Sequence, residues 1–212
     1  GWLHRTDNAT IVPVCIQLAE VTINYGDGGN VSGLRVLEME TAYSGTTTSG
    51  TATLALPTNF LEWRKLYITY SGIRRELRQR SAIPMSLAER SVLNDIPQRY
   101  WIQGSSMYLD PIPNGTYTVT GDYYLKVPAL TSTATPNWLL TAAPMVYLAG
   151  TILHGSLWFG TKFDQSKWAK AFEIAMNQVT RNDIRKRGFG MIQAPVDAAY
   201  LNRGRFNIRT GM

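Results

Sequence analysis

Between positions 131 and 187 the chain carries two long apolar runs of helical spacing, and everything before them must pack on them or project from them. A polar linker of Thr, Ser, Ala and Pro opens the stretch. Thr141 has the hydroxyl of an N-cap, and Pro144 falls in a first turn, where no intrahelical donor is lost. Met145, Leu148, Ile152 and Trp158 then recur at helical spacing, with Val146, Ala149 and Leu153 widening the face. Gly160 breaks the run. A second helix starts near Asp164 and carries Phe163, Trp168, Phe172, Ala175, Met176 and Val179 on one side, with Lys162, Lys167, Lys170 and Glu173 mostly off that stripe. The two helices read as an antiparallel pair. The expected core of this pair is Leu148, Ile152, Trp168 and Phe172.

A third helix is expected over 9–25, capped by Thr6-Asp7. Ile11, Val14, Cys15, Leu18 and Val21 or Thr22 repeat at three and four, so Leu18 joins the same core. Pro13 is acceptable near a helix start. Gly26-Asp27-Gly28-Gly29-Asn30 ends the helix. From Leu34 the period becomes two. Strands are expected at 34–43, 51–56, 66–70, 73–77, 98–103, 107–109 and 117–127, with Ser71-Gly72 as a hairpin turn. Ser86 and Glu89 have capping-box spacing for a short helix. Tyr43, Trp63, Tyr100 and Trp101 read as exposed residues of these hairpins.

Strands and helices are thus segregated, which makes the chain α+β. The expected architecture is a helical bundle with a β-strand-rich insertion, a long C-terminal helical hairpin and an extended C-terminal arm. Its parts are 1–33 (bundle helix), 34–128 (β-rich insertion), 129–187 (helical hairpin) and 188–212 (basic arm).

Charged residues are only 17% of the chain, against roughly 25% on average, and there are six Trp and eleven Tyr. That balance suits buried subunit interfaces and aromatic-rich cores alike. One cysteine, Cys15, excludes an intrachain disulfide. His4 and His154 are the only histidines, and no metal-ligand spacing exists, so a catalytic triad or zinc site has nothing to stand on. His154 reads as a satisfied core residue. The Gly-rich stretch 26–33 lacks a phosphate-binding lysine and a preceding strand. Asp95 and Asp110, beside prolines, read as unpaired turn residues. An enzyme is not expected, nor a cofactor. No apolar run is long enough to span a membrane and no signal peptide is visible, so a soluble protein made in a reducing compartment is expected.

The net charge of +6 is concentrated at the C-terminus. Arg181, Arg185, Lys186 and Arg187 form a basic helix end, and Arg203, Arg205, Phe206, Ile208 and Arg209 lie in the arm. Alternation of Phe206 and Ile208 with Asn207 and Arg209 suits a peptide laid on a sheet edge or in a groove of a partner. The same cations could instead hold nucleic-acid phosphates, as in a sequence-independent DNA-binding protein.

Several motifs occur in a telling order: Trp2-Leu3-His4-Arg5-Thr6-Asp7, Leu18-Ala19-Glu20, Arg35-Val36-Leu37-Glu38-Met39-Glu40 and Leu56-Pro57-Thr58-Asn59-Phe60-Leu61-Glu62. Leu109-Asp110-Pro111-Ile112-Pro113, Tyr123-Tyr124-Leu125-Lys126-Val127-Pro128-Ala129-Leu130 and Asn137-Trp138-Leu139-Leu140 continue it. Over about 1–182 the chain resembles the head-to-tail connector, or adaptor, proteins of short-tailed bacteriophages. The resemblance implies a structural virion protein without an active site. Copies of it would form a ring, about twelve-fold, that joins the portal protein to the tail nozzle or tail-tube protein. Genomic DNA would pass through the ring without sequence-specific contact, and no membrane would be involved. The protein would be made in the host cytoplasm and reside at the head-to-tail interface of the virion.

Overall fold

The computed structural model describes residues 8–80, 94–130, 136–159 and 164–188. The expected Thr6-Asp7 cap, the Ser86 helix, the 131–135 linker, the break at Gly160 and the arm beyond Gly188 lie outside them. The elements run α1 (Asn8–Tyr25), β1 (Glu40–Thr46), β2 (Thr53–Ala55), β3 (Phe60–Tyr70), β4 (Ile73–Glu76), β5 (Arg78–Gln79), β6 (Arg99–Gln103), β7 (Ser106–Asp110), β8 (Thr118–Leu125), α2 (Trp138–Ala142), α3 (Pro144–Phe159) and α4 (Gln165–Lys186). The α+β reading holds. Eight strands stand among the described residues, where the sequence suggested six or seven.

The strands form two four-stranded sheets, ordered β1-β8-β3-β4 and β2-β7-β6-β5. All pairs are antiparallel except β5 with β6. The two sheets share one core, because Trp63, Leu66 and Ile68 of β3 and Val119 and Tyr123 of β8 cluster with Tyr100 of β6 and Met107 and Leu109 of β7. Ser71 (φ 47°) and Gly72 (φ 76°) make the two-residue turn between β3 and β4, as the Ser-Gly pair predicts. Gly121 has a different reason to be glycine. A Cβ there would collide with the Lys65 carbonyl, where β3 shifts register between Trp63 and Lys65.

The helices form a layer in which α3 packs against both α1 and α4. Asp164 caps α4, its carboxylate accepting from Lys167 N at 3.2 Å. Gly150 of α3 lets the three helices meet, since a Cβ there would lie 3.0 Å from both Ala19 Cβ and Phe172 Cε2. Ile23, Val146, Ala149 and Phe172 are sealed there, and the strap of Val31, Leu34, Val36 and Met39 covers them.

Several expectations change. Leu148 is 52% exposed, and Met145 and Trp158 are also exposed, so the centre of the α3 face expected in the core is open and only its flank, Val146 and Ala149, is sealed. The buried face runs through Val146, Ala149 and Gly150. An α3 apolar on nearly every side gives a period no preferred direction. Ile152, Trp168 and Leu18 are partly buried, and Phe172 is fully buried. Trp63 and Tyr100 are 7% and 4% exposed rather than displayed, while Tyr43 and Trp101 are half-buried. Thr141 sits inside α2, whose N-cap is Asn137. Pro13 lies within α1, where it withholds one backbone hydrogen bond. Residues 34–36 are a strap ending in a 3-10 turn (Leu37–Met39), not a strand. Asp110 ends β7, 7% exposed, with Arg80 at 3.6 Å.

Candidate docking surfaces

Two polar joints tie the helical layer to the strands. At the first, Asp183 in the last turn of α4 is 5% exposed. A carboxylate is disfavoured at the negative end of a helix dipole. It is held there by Leu37 N–H at 2.7 Å and by Arg187 Nε–H at 2.6 Å. Arg187 also donates to Glu40 Oε1 at 2.6 Å, Arg64 donates to Glu40 Oε2 at 2.8 Å, and the Tyr124 hydroxyl donates to Oε1 at 3.2 Å. The hydrogen bond to Asp183 raises the Arg187 pKa further above its ordinary value, so this cation is permanent. Lys186 pairs with Glu38 on the strap.

At the second joint, Asn24 of α1 accepts from Val127 N at 2.8 Å, just where β8 has ended. Glu20 accepts from Leu130 N at 2.6 Å and from the Tyr147 hydroxyl at 3.4 Å. Asn137 donates to that hydroxyl and to Pro128 O, both at 2.6 Å. Burial pushes the Tyr147 phenol up to about 12, so it stays a donor. Each buried polar group at this corner therefore has a partner, as burial requires.

The outer surfaces differ in chemistry. Helices α1 and α3 contain one formal charge between them, Glu20, and it is turned inward. The large apolar residues they expose are Val14, Val21 and Tyr25 on α1, and Met145, Leu148 and Trp158 on α3. His154, the histidine expected to be satisfied, lies half-buried with Nε2 3.1 Å from Thr22 Oγ1. The Thr22 hydroxyl also reaches Leu18 O at 3.1 Å. Burial lowers the His154 pKa.

On α4 the exposed side is mostly polar, with Ile174 and Ile184 as exposed apolar residues. Lys170, Ile174, Asn177, Arg181 and Arg185 line a shallow trough of about 490 Å³. The basic helix end thus divides. Lys186 and Arg187 are spent on the strap and β1, whereas Arg181 and Arg185 have no carboxylate partner among the described residues. A second groove of about 490 Å³, more apolar, lies between Trp138, Pro144 and Met145 on one wall and Val179, Asn182 and Lys186 on the other. The chain leaves α4 at this end, through Gly188 (φ 80°) with its N–H on Arg185 O. The arm residues Arg203, Arg205, Phe206, Ile208 and Arg209 lie outside the described residues.

Sequence reasoning passed over both joints. The i,i+4 spacing of Asp183 and Arg187 was a usable signal, but nothing local ties either to Glu40, which is 143 positions before Asp183. Among the described residues no group of three His, Cys, Asp or Glu could hold a metal ion. No described helix is long and apolar enough to cross a membrane.

No curated protein matches the chain. A family does: the model described as SU10 adaptor protein matches residues 1–197 of the 212, in keeping with the motif order noted in the sequence. The chain belongs to that family, and it is a structural adaptor protein of a bacteriophage virion.

Proposed function

We propose that this chain is the subunit of a ring that joins the portal to the tail nozzle and continues the channel for genomic DNA. The family match across residues 1–197 carries this reading. The uncharged outer faces of α1 and α3 support it, because surfaces so poor in charge suit lateral contact with a neighbouring copy. About twelve copies would close the ring by a repeated heterologous contact. The helices 8–25 and 138–187 would form the ring-bearing bundle, and the β-rich part within 34–128 would offer the tail-side platform. The role is structural, with DNA passing through unread.

The basic arm, 188–212, would dock on the portal or on a neighbouring subunit. Arg203, Arg205 and Arg209 would meet carboxylates there, with Phe206 and Ile208 as apolar anchors. The more apolar groove beside Lys186 is a suitable seat on a neighbouring copy, because it opens where the arm begins.

Electron micrographs of the purified protein with portal particles test the reading, and closed rings at the portal vertex are the expected result. Truncation after Arg187 should abolish joining. If truncated protein joins as well as the full chain, and the full chain binds duplex DNA with a steep salt dependence, the arm is a phosphate-binding element instead.

A further inference from the structure

The sandwich carries a feature that the adaptor reading leaves unused: a basic stretch from Ile73 to Arg80. The chain runs there from β4, the edge of one sheet, directly into β5, the edge of the other. Every residue of β4 and β5 is exposed. Arg74, Arg75 and Arg78 lie in this stretch, and Arg99 of β6 stands directly opposite Arg78. None of the four has a carboxylate partner among the described residues, whereas Arg80 has Asp110. Like charges directly across a strand pair repel. Glu76 is the one acid in the run.

Two of these cations are already oriented. The Arg74 guanidinium lies 3.8 Å from the centroid of Tyr67, and that of Arg75 lies 4.9 Å from the centroid of Tyr70. Stacking fixes the plane of the guanidinium and leaves its N–H fork free at the rim. A fork held this way matches a carboxylate, two bonds to two oxygens. The backbone adds a second requirement. The turn pairs Tyr70 with Ile73, and Leu77 N–H bonds Leu66 O, so the N–H and C=O of Arg74 and Glu76 point away from β3. No described strand pairs with that side of β4, and β6 takes it up from Arg78 onward, so the open groups are those of Arg74 and Glu76.

We propose that the β4–β5 edge binds an extended acidic segment of a partner protein by strand addition. The partner's backbone pairs with the outward groups of Arg74 and Glu76, and its carboxylates meet Arg74 and the Arg78–Arg99 pair on one face of the sheet and Arg75 on the other. A row of alternating N–H and C=O groups needs acceptors and donors in turn. A peptide supplies both, while DNA phosphates only accept and would face the edge carbonyls. The inference does not depend on where in the particle the protein sits.

The probe is a synthetic peptide of about eight glutamates, which carries carboxylates on both faces when extended, titrated against the full chain by calorimetry. Micromolar binding is expected. Arg74→Ser/Arg75→Ser should weaken it at least about tenfold with an unchanged melting profile. The same peptide N-methylated at alternate residues, which keeps its carboxylates but blocks its backbone donors, should also lose about tenfold against the unaltered protein. Equal affinity for the methylated peptide would overturn strand addition. So would a loss below about twofold in the arginine variant, or displacement of the peptide by duplex DNA at lower concentration than by free peptide.

Discussion

Phe172→Ala is the sharpest test of how the helical layer is built. The ring is fully buried at the meeting point of α1, α3 and α4. Gly150 stands against it, with Ala19 on the other side of that glycine, and both are small and on helices. Neither can reach into the space the ring would vacate, so the cavity cannot collapse from that side. The cost should therefore lie in the upper part of the usual range for such a truncation, about 3–5 kcal/mol. In a chain of this size that corresponds to a fall in melting temperature of roughly 6–20 °C. The comparison is Leu148→Ala. The sequence puts Leu148 and Phe172 in one core, but the structure leaves Leu148 52% exposed. Its truncation should change the stability of the isolated subunit by less than about 0.5 kcal/mol. Urea unfolding of both variants at dilute, subunit concentration reads the two values. Phe172→Ala costing under about 1 kcal/mol, or Leu148→Ala costing more than about 2 kcal/mol, would refute the assignment of the buried face.

Three further outcomes follow from the joints and the sheet. Arg187→Met should destabilise the chain by about 2–4 kcal/mol, discounted for partial exposure, because it strips a cation from the nearly buried Asp183 and from Glu40; thermal unfolding measures it, and Asp183→Asn in the same background should restore part of the loss. Gly121→Val should disrupt the pairing of β8 with β3, because any Cβ meets the Lys65 carbonyl; amide exchange across β3 and β8 should rise while that of the helices changes less. Burial lowers the His154 pKa, so the unfolded chain takes up this proton first as pH falls. Its stabilising contribution is whole above about pH 6.5 and is lost as pH drops toward the lower folded value; the denaturation midpoint should fall between about pH 7.5 and about pH 5.5, and His154→Gln should flatten that part of the slope.

Local chemistry was legible in the sequence wherever a residue acts on its own backbone. Ser71-Gly72 makes a turn because two positive φ angles are needed there. Asp164 caps α4 because a carboxylate can reach the free amides of the next turn. The helical spacing of α1, α3 and α4 and the period of two in β6 and β8 follow from side-chain direction along each element. The segregation of those periods was enough to give α+β, and the motif order was enough to point to the adaptor family.

Only the tertiary structure decided which side of each element is inside. On α3 nearly every face is apolar, so whether Leu148 or Val146 is sealed is decided by Ala19, Phe172 and the strap that pack there. Trp63 and Tyr100 are buried because two sheets close over them, and an isolated hairpin carries no sign of the second sheet. Asp183 is buried because Leu37, 146 positions earlier, brings an amide to it. The basic stretch from Ile73 to Arg80 is the same kind of case. A run of arginines is visible in the sequence, but that it lies on the edge strands of two sheets, with two guanidiniums stacked on tyrosines and the outward groups of Arg74 and Glu76 unpaired by any described strand, depends on strand order. Periodicity reports the direction of a side chain relative to its own element; burial and pairing depend on what arrives from elsewhere in the chain.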